Sequence, residues 1–553
     1  MSKISLPGAN IVIVGDLPED SVNYWRKCFN GAHSVQNVST LSNIASLKDP
    51  PNLIVIPRAH NLALCDLELV QKMVQTPIQL LLVTHATETT IEQLAEICGF
   101  SNQIGLGNSE WFLKQLGSRN QTAEFGEFAI RGEAVELIPS TPTVETLAQI
   151  SVGFRNRSVL IRNATVTTLS FSECNVREPD INFVRMLHRA VFDPIPEAKM
   201  PINVGIIGYG PFGGMGHFHG EGCEKTQYLK FVAIGEHDNN RRQSALQQFP
   251  TISTYENDDD LINDQNVDLV IVATPPNTHF NLAKKALANG KHVVIEKPMC
   301  LTTSEVDQLI EISRVQNKVL TIHQNRRFDG DFLALLALID SGVLGDVFNI
   351  ETFVGSFEHP CRAWHSDSDI SGGSAYDWGS HHIDWILRIY KESPQELFVT
   401  SHKRVWKDVT NADQIRIHMT LGDGREAEFI QSEVSAIRKP KFYVQGTKGT
   451  AAGHYAPITS ESVNFPFGYQ VTKFHHAEVP VTFVLTTYDS PTKSTTTEIT
   501  PVDVPPFEFH RNLANHLIYG EPLSITPESV RPVIEILEVS QALTETDQHY
   551  AKL

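Results

Sequence analysis

Cysteine is scarce and scattered: seven residues in 553 (Cys28, Cys65, Cys98, Cys174, Cys223, Cys300, Cys361), with no CxxC pair and no metal-ligand spacing. That spacing excludes a zinc-ribbon pattern and a disulfide framework, so reduced thiols and no bound metal are the expectation. No apolar run reaches the about 18 residues a membrane-crossing helix requires, so no membrane partner is expected. Basic charge is in deficit, 45 Lys and Arg against 64 Asp and Glu for a net charge of −19. Affinity for a phosphate backbone needs clustered cations, and none is visible, which argues against a nucleic-acid partner. The first residues, MSKISLPGANIVIVGD, lack a basic segment followed by an apolar one and a small-residue cleavage site. Nothing there marks the chain for export, and a cytoplasmic location is expected.

What remains is an ordinary globular composition, 41% hydrophobic and 20% charged. A chain of this length exceeds one core, and roughly 150 residues per domain predicts three or four. Residues 11–15, 53–56 and 78–83 are short apolar runs that end in turn or polar residues, as buried parallel strands do. Between them, Ser21 to Phe29, Asp66 to Val74 and Thr90 to Cys98 space apolar residues as helices do. Residues 1–122 therefore read as a doubly wound α/β unit resembling a receiver or flavodoxin-like domain. A phosphoryl acceptor would need an acidic pair after the first strand and an aspartate ending the third, where this chain has Gly15-Asp16 and Ile56-Pro57. Packing or assembly, rather than a phosphorylation switch, is the expected use. Residues 123–200 read as a connecting segment with some strand and helix, closed by the proline-rich run Asp193 to Pro201.

The pattern then changes to strand (Asn203 to Ile207), glycine turn (Gly208-Tyr-Gly210-Pro-Phe-Gly213), helix and strand (Lys230 to Ile234). In that βαβ setting Gly208, Gly210 and Gly213, with Pro211 and Phe212 between them, can cradle a pyrophosphate at a helix N-terminus. Glu236, just after the second strand, can accept hydrogen bonds from ribose hydroxyls and repel a 2′-phosphate, which favours NAD over NADP. Arg241 and Arg242 keep NADP open. A third strand, Val267 to Ala273, runs into Thr274-Pro275-Pro276-Asn277-Thr278-His279, so Thr274, Pro275, Asn277 and His279 are candidates for the cofactor edge, with a packing role as the alternative for His279. A helix from Leu282 to Asn289 and a strand from Val293 to Ile295 deliver Glu296-Lys297-Pro298 to the same edge. A lysine there can stabilise the alkoxide-like oxygen that develops as a hydride leaves an alcohol carbon.

The ordered segments VGIIGYGPFG, VATPPNTH, GKHVVIEKP, QNRRFDGDF, Trp364-His365 and SGGSAYDWGSHHID resemble the Gfo/Idh/MocA oxidoreductases from about residue 202 to 553. The resemblance implies a Rossmann domain (201–325) and a C-terminal α/β domain with a large, mostly antiparallel sheet (326–553) for substrate and oligomer contacts. It implies a nicotinamide cofactor, a polyhydroxylated small-molecule substrate, a homo-oligomer, and an often cis Lys-Pro bond at Lys297-Pro298. Carried over residue by residue, it makes Lys297, Asp377 and His381 the catalytic set, with Glu296 beside them on the cofactor edge. Arg326, Trp364 and His365 join Asp377 and His381 as substrate contacts, although the family's usual Trp-Arg pair is here Trp364-His365. Asp377 and His381 are four apart, so on one helix face they would act together. His381 would move the hydroxyl proton while Asp377 orients it or binds substrate. A non-catalytic sensor of the same fold, and an NAD-dependent glycoside eliminase, stand as alternatives.

Overall fold

A computed structural model describes residues 4–5, 9–29, 34–84, 92–115, 127–141, 144–152, 155–170, 181–193, 200–210, 214–360, 364–456, 460–464, 470–474, 480–490, 492–546 and 549–553. By internal contacts the chain forms two units, residues 1–200 with 512–523, and 201–511 with 524–553.

In the first unit, strands Ser34–Val38, Asn10–Val14, Leu53–Ile56, Gln79–Val83 and Val166–Leu169 run parallel in that order. Strand alternation sends Ile11, Ile13, Leu53 and Val55 to one face, against Trp25, Phe29 and Leu187. Val12, Val14, Ile54 and Ile56 go to the other, against Leu67, Val70 and Leu94. The doubly wound unit expected for residues 1–122 is larger than that range. Residues 123–200 are not a connector: Glu127–Pro139, Glu145–Val152, Arg155–Asn163 and Val166–Leu169 extend the same nine-stranded sheet. The physical reason is burial, since Val166 to Leu169 is covered on both faces and needs neighbours on each side. The C-terminal segment 512–523 also belongs to this unit, not to the substrate domain that the sequence predicted for all of 326–553.

The second unit contains two large sheets and a two-stranded one, Ser460–Asn464 with Gln470–Phe474. Six parallel strands take the order Ser253–Tyr255, Leu229–Gly235, Ile202–Ile207, Leu269–Val272, His292–Glu296, Leu320–His323, the doubly wound dinucleotide arrangement. The strand order reverses beside Ile202–Ile207, so the crevice lies at the carboxyl ends of Ile207, Gly235 and Val272. The other large sheet has nine strands, all antiparallel neighbours except Val347–Gly355 beside Glu426–Ser432. Helix Ser374–Tyr390 packs on this sheet through Gly379, where an added Cβ would lie 3.0 Å from Phe429. Among the described residues no helix is long and apolar enough to cross a membrane. Cys28, Cys65, Cys98, Cys223 and Cys300 are free thiols.

Candidate active site

The turn after strand Ile202–Ile207 is built by close backbone approach. Gly208 has φ +98°, and a Cβ there would sit 2.5 Å from the Ala273 carbonyl oxygen, so this position excludes any side chain. The close helix-to-turn packing falls on Gly216, in the first turn of helix Met215–Lys225, where a Cβ would lie 2.2 Å from the Gly208 oxygen. The sequence motif pointed to Gly213 for that packing; Pro211, Phe212 and Gly213 lie outside the described residues. At Gly210 an added Cβ would meet, among the described residues, only Arg241, at 3.7 Å. Gly216→Ala is expected to abolish measurable NADH binding while the protein remains folded, because the helix must move off the turn; fluorescence titration of NADH with circular dichroism checks both.

Glu236 is buried and occupied on both oxygens, accepting from the Tyr209 N–H at 2.8 Å and the Asp238 N–H at 2.9 Å, with Arg241 3.6 Å away. It ties the glycine turn to the second strand while one edge faces the crevice. Arg242 does not face a phosphate site: it donates to the carbonyls of Glu236 and His237 at 2.6 and 2.8 Å.

From this turn a cavity of about 480 Å³ runs to the helix bearing Asp377. Its wall carries Gly208, Gly210, Glu236, Thr274, Pro275, Glu296, Lys297, Arg326, Trp364, His365, Asp377 and His381. Asn277 and His279, expected on the cofactor edge, are absent from that wall. The reason is that the helix after the third strand starts earlier than its apolar spacing suggested, at Pro276, with Pro at its first position. Asn277 then faces solvent, and His279 is fully buried, with Nδ1 2.8 Å from the Pro298 carbonyl and Nε2 2.8 Å from the Thr274 carbonyl. It pins the Lys297-Pro298 turn, whose peptide bond is cis, to the neighbouring strand end.

Lys297 Nζ donates to Asp377 Oδ1 and, at 3.3 Å, to the Asp377 carbonyl. Asp377 therefore pairs with the lysine, and the structure records no hydrogen bond from it to His381. Burial alone would raise the Asp377 carboxyl, but the charges of Lys297 and His365 and the lysine hydrogen bond outweigh it and hold the group below its ordinary range. His381 is 2% exposed, and its Nδ1 has no hydrogen-bond partner. Burial first, then the positive charges of Lys297 and Arg326, push it well below the usual histidine value, so the ring is neutral. Trp364 and His365 stack with ring centroids 3.5 Å apart, and burial lowers His365 as well. Arg326 lies over the Trp378 ring at 4.9 Å, whereas Arg327 is buried in an ion pair with Asp384. His382, also buried, faces away from the cavity.

Sequence reasoning missed Met215, His237, Asp258, Ser371 and Trp378, which also line the cavity; Asn325, which the resemblance put at the pocket with its arginine neighbours, lines it too. Trp378 was within reach, being flanked by Asp377 and His381 in one motif. Asp258 opens the acidic run Asp258-Asp-Asp260, which reads as a solvated helix start and carries no further signal.

Known proteins share this sequence pattern and fold. The family described as "Oxidoreductase family, NAD-binding Rossmann fold" matches residues 202–324, and the "GFO/IDH/MocA C-terminal domain" matches 332–452. An uncharacterised oxidoreductase of Schizosaccharomyces pombe is 33% identical over 257 residues, 45% of this chain and 70% of that one. The scyllo-inositol 2-dehydrogenase (NADP(+)) IolW of Bacillus subtilis is 28% identical over 343 residues, 61% of this chain and 92% of its own length. The myo-inositol 2-dehydrogenase of Thermotoga maritima is 27% identical over 214 residues, 39% of this chain and 62% of its own. Among solved structures, an NAD-binding protein from Listeria innocua superposes with a TM-score of 0.54 at 24% identity, covering 64% of this chain and 97% of that one. With a glycine turn shaped by Gly208 and Gly216, an acidic residue at the second strand end and a lysine at the fifth, all bordering one cavity, the chain belongs to the Gfo/Idh/MocA family of NAD-binding oxidoreductases.

Proposed function

We propose that this protein is an NAD(P)-dependent dehydrogenase or reductase acting on a CH–OH carbon of a cyclitol, sugar or sugar derivative. One observation carries the reading: Lys297, Asp377 and His381 border the cavity that begins at the glycine turn. The nicotinamide cofactor, when bound, takes up or delivers the hydride at its C4 carbon. Gly208, Gly210 and Glu236 would hold its pyrophosphate and adenosine ribose. Lys297 Nζ donates to the substrate oxygen and stabilises negative charge there as the carbon loses hydride. His381 accepts the hydroxyl proton, a role open to a ring that is neutral beforehand. Its weakened basicity is matched by the neighbouring ammonium, which makes the hydroxyl more acidic. Asp377 holds Lys297 and offers its second oxygen to an adjacent substrate hydroxyl. Trp364, His365 and Arg326 form the outer wall, with Trp364 stacked on His365 presenting an apolar face to a sugar ring.

The convergence of three proton-handling side chains favours an enzyme over a ligand sensor, and the two inositol dehydrogenases among the relatives favour a cyclitol. A panel of inositols and sugars assayed with NAD and NADP tests this. Stoichiometric NADH with a keto product supports it; free aglycone without net NADH would establish elimination instead, and no turnover with any compound would reject it. We assign NAD as the preferred cofactor from Glu236. Glu236→Ala is expected to weaken NAD binding about tenfold and NADP binding less, because only NADP gains from removing a carboxylate near a 2′-phosphate; an equal loss for both argues against the assignment. A second copy of the chain is the expected partner, since Phe348, Phe398, Val484 and Tyr550 are exposed on strands of the nine-stranded sheet.

A further inference from the structure

Beneath Lys297 lies a buried cluster that the reaction above does not use. Glu296 Oε1 is 2.9 Å from His219 Nε2 and 2.8 Å from His323 Nδ1, while Oε2 accepts from the Lys297 N–H at 3.1 Å. His219 Nδ1 is in turn 2.9 Å from His510 Nε2. His219 and His510 have no solvent exposure, and His323 has 1%.

We propose that His219, His323 and His510 are positioning residues for Lys297, three imidazoles whose linked hydrogen bonds clamp the Glu296 carboxylate and thereby fix the backbone from which the lysine reaches the cavity. The proposal rests on the assignment of Lys297 to the substrate oxygen.

Proton bookkeeping admits one arrangement. An ionised Glu296 only accepts, so His219 donates from Nε2 and His323 from Nδ1. A neutral His219 then accepts at Nδ1, which requires His510 to donate from Nε2. The two nitrogens left over, His323 Nε2 and His510 Nδ1, need carry only lone pairs, and both are buried without a hydrogen-bond partner. A proton on either would be an unsatisfied buried N–H, the costlier outcome. Energetics agree for His219 and His510: burial, then the neighbouring His323, lowers His219 to about 4, and burial with the neighbouring imidazoles pushes His510 well below its usual value. Although burial would raise Glu296, attraction to His323 and the hydrogen bonds from His219 and His323 hold it well below the ordinary carboxylate range.

The donors come from helix Met215–Lys225, strand Leu320–His323 and helix Glu508–Tyr519, so three elements converge on the residue before Lys297. Room for this is built in: a Cβ on Gly222 would sit 2.6 Å from the His510 ring, at a helical position where glycine is otherwise less favourable than alanine. Three of these groups, His219, Glu296 and His323, are also close enough to share a metal ion. Here the same atoms hydrogen-bond to one another.

The test uses the full chain without cofactor. Nitrogen-15 histidine spectra should show rings 219 and 510 protonated at Nε2, unchanged from pH 6 to 8, and ring 323 protonated at Nδ1. A doubly protonated ring in the cluster, or an equimolar metal in the purified protein whose removal alters these signals, overturns the arrangement. Hydrogen exchange then separates positioning from general stability. His323→Leu should speed exchange of the Lys297 amide at least tenfold with distant peptides unchanged, and His323→Asn, which restores a donor at the Nδ1 place, should return it to normal. Gly222→Ala should do the same as His323→Leu, through His510. Exchange that is unchanged, or raised throughout the chain, overturns the proposal. Where the sugar and cyclitol panel has supplied a substrate, kcat should fall about tenfold or more in His323→Leu and recover in His323→Asn, with NADH affinity constant. Failure of the panel rejects the proposed reaction and leaves the spectra and exchange to decide the clamp.

Discussion

Lys297→Ala should lower kcat/KM by about 10³-fold, within the range that a positioned proton-handling group contributes, while NADH affinity stays within about threefold. The separation is expected because Gly208, Gly210 and Glu236, proposed to anchor the cofactor, line the cavity at the glycine turn, away from the helix bearing Asp377. Losing the ammonium removes the donor to the developing oxyanion and leaves Asp377 with an unpaired charge in a half-buried place, where its carboxyl becomes easier to protonate. Lys297→Arg should not rescue, since the planar fork cannot reproduce a single donor between Asp377 and substrate. Steady-state kinetics on whichever polyol the panel identifies, beside fluorescence titration of NADH, make the check. A Lys297→Ala enzyme that keeps a tenth of wild-type turnover would remove the lysine from the chemistry and with it the role given to Asp377.

How far the sequence led is best judged at particular residues. The six-stranded sheet was readable because continuous apolar strands such as Leu269–Val272 and His292–Glu296 are covered on both faces, a pattern helices seldom imitate over so short a run. Lys297, Asp377, His381 and Arg326 were readable because each sits in a local motif. Glu296, expected as a cofactor contact, does border the cavity, but its neighbour gave no sign of what holds its carboxylate. Successive residues at a strand end point to opposite faces, so when Lys297 enters the cavity the Glu296 oxygens turn toward the histidines behind it. That cluster had no local signature: His219 and His510 are 291 residues apart. Asp377 and His381 show the complementary limit, since helical spacing put both at the cavity without disclosing that the aspartate would choose Lys297. The extension of the first sheet through residues 127–169 escaped notice because its alternating strands, read singly, are indistinguishable from a hairpin-rich connector.

The second large effect is on stability, and it arises in the first unit. Arg185 and Glu521 are 1% and 2% exposed at their side chains and meet in a two-pronged contact, Nε to Oε2 at 3.0 Å and Nη2 to Oε1 at 3.0 Å, with Asn512 Nδ2 adding a third donor to Glu521 at 2.6 Å. Helix Ile181–Val191 and the segment 512–523 are thereby joined across 336 residues of sequence. Removing one partner strands the other as an uncompensated charge in a dry interior, so Arg185→Ala and Glu521→Ala should each destabilise the protein by about 3–5 kcal/mol. The pair itself carries little net stability, because forming it required desolvating both charges. Arg185→Met combined with Glu521→Leu should therefore recover most of the single-variant loss, the sign of a coupled pair in a double-mutant cycle. A chain begun at Pro201 would keep Glu521 and lose its arginine, and is expected to aggregate, not to fold as a shorter enzyme. Denaturant unfolding of the four proteins supplies the numbers, and NADH titration of the folded double variant should match wild type, since neither residue lines the cofactor cavity. Single-variant losses below about 1 kcal/mol would mean that water reaches this contact, and that other packing holds the first 200 residues and segment 512–523 together.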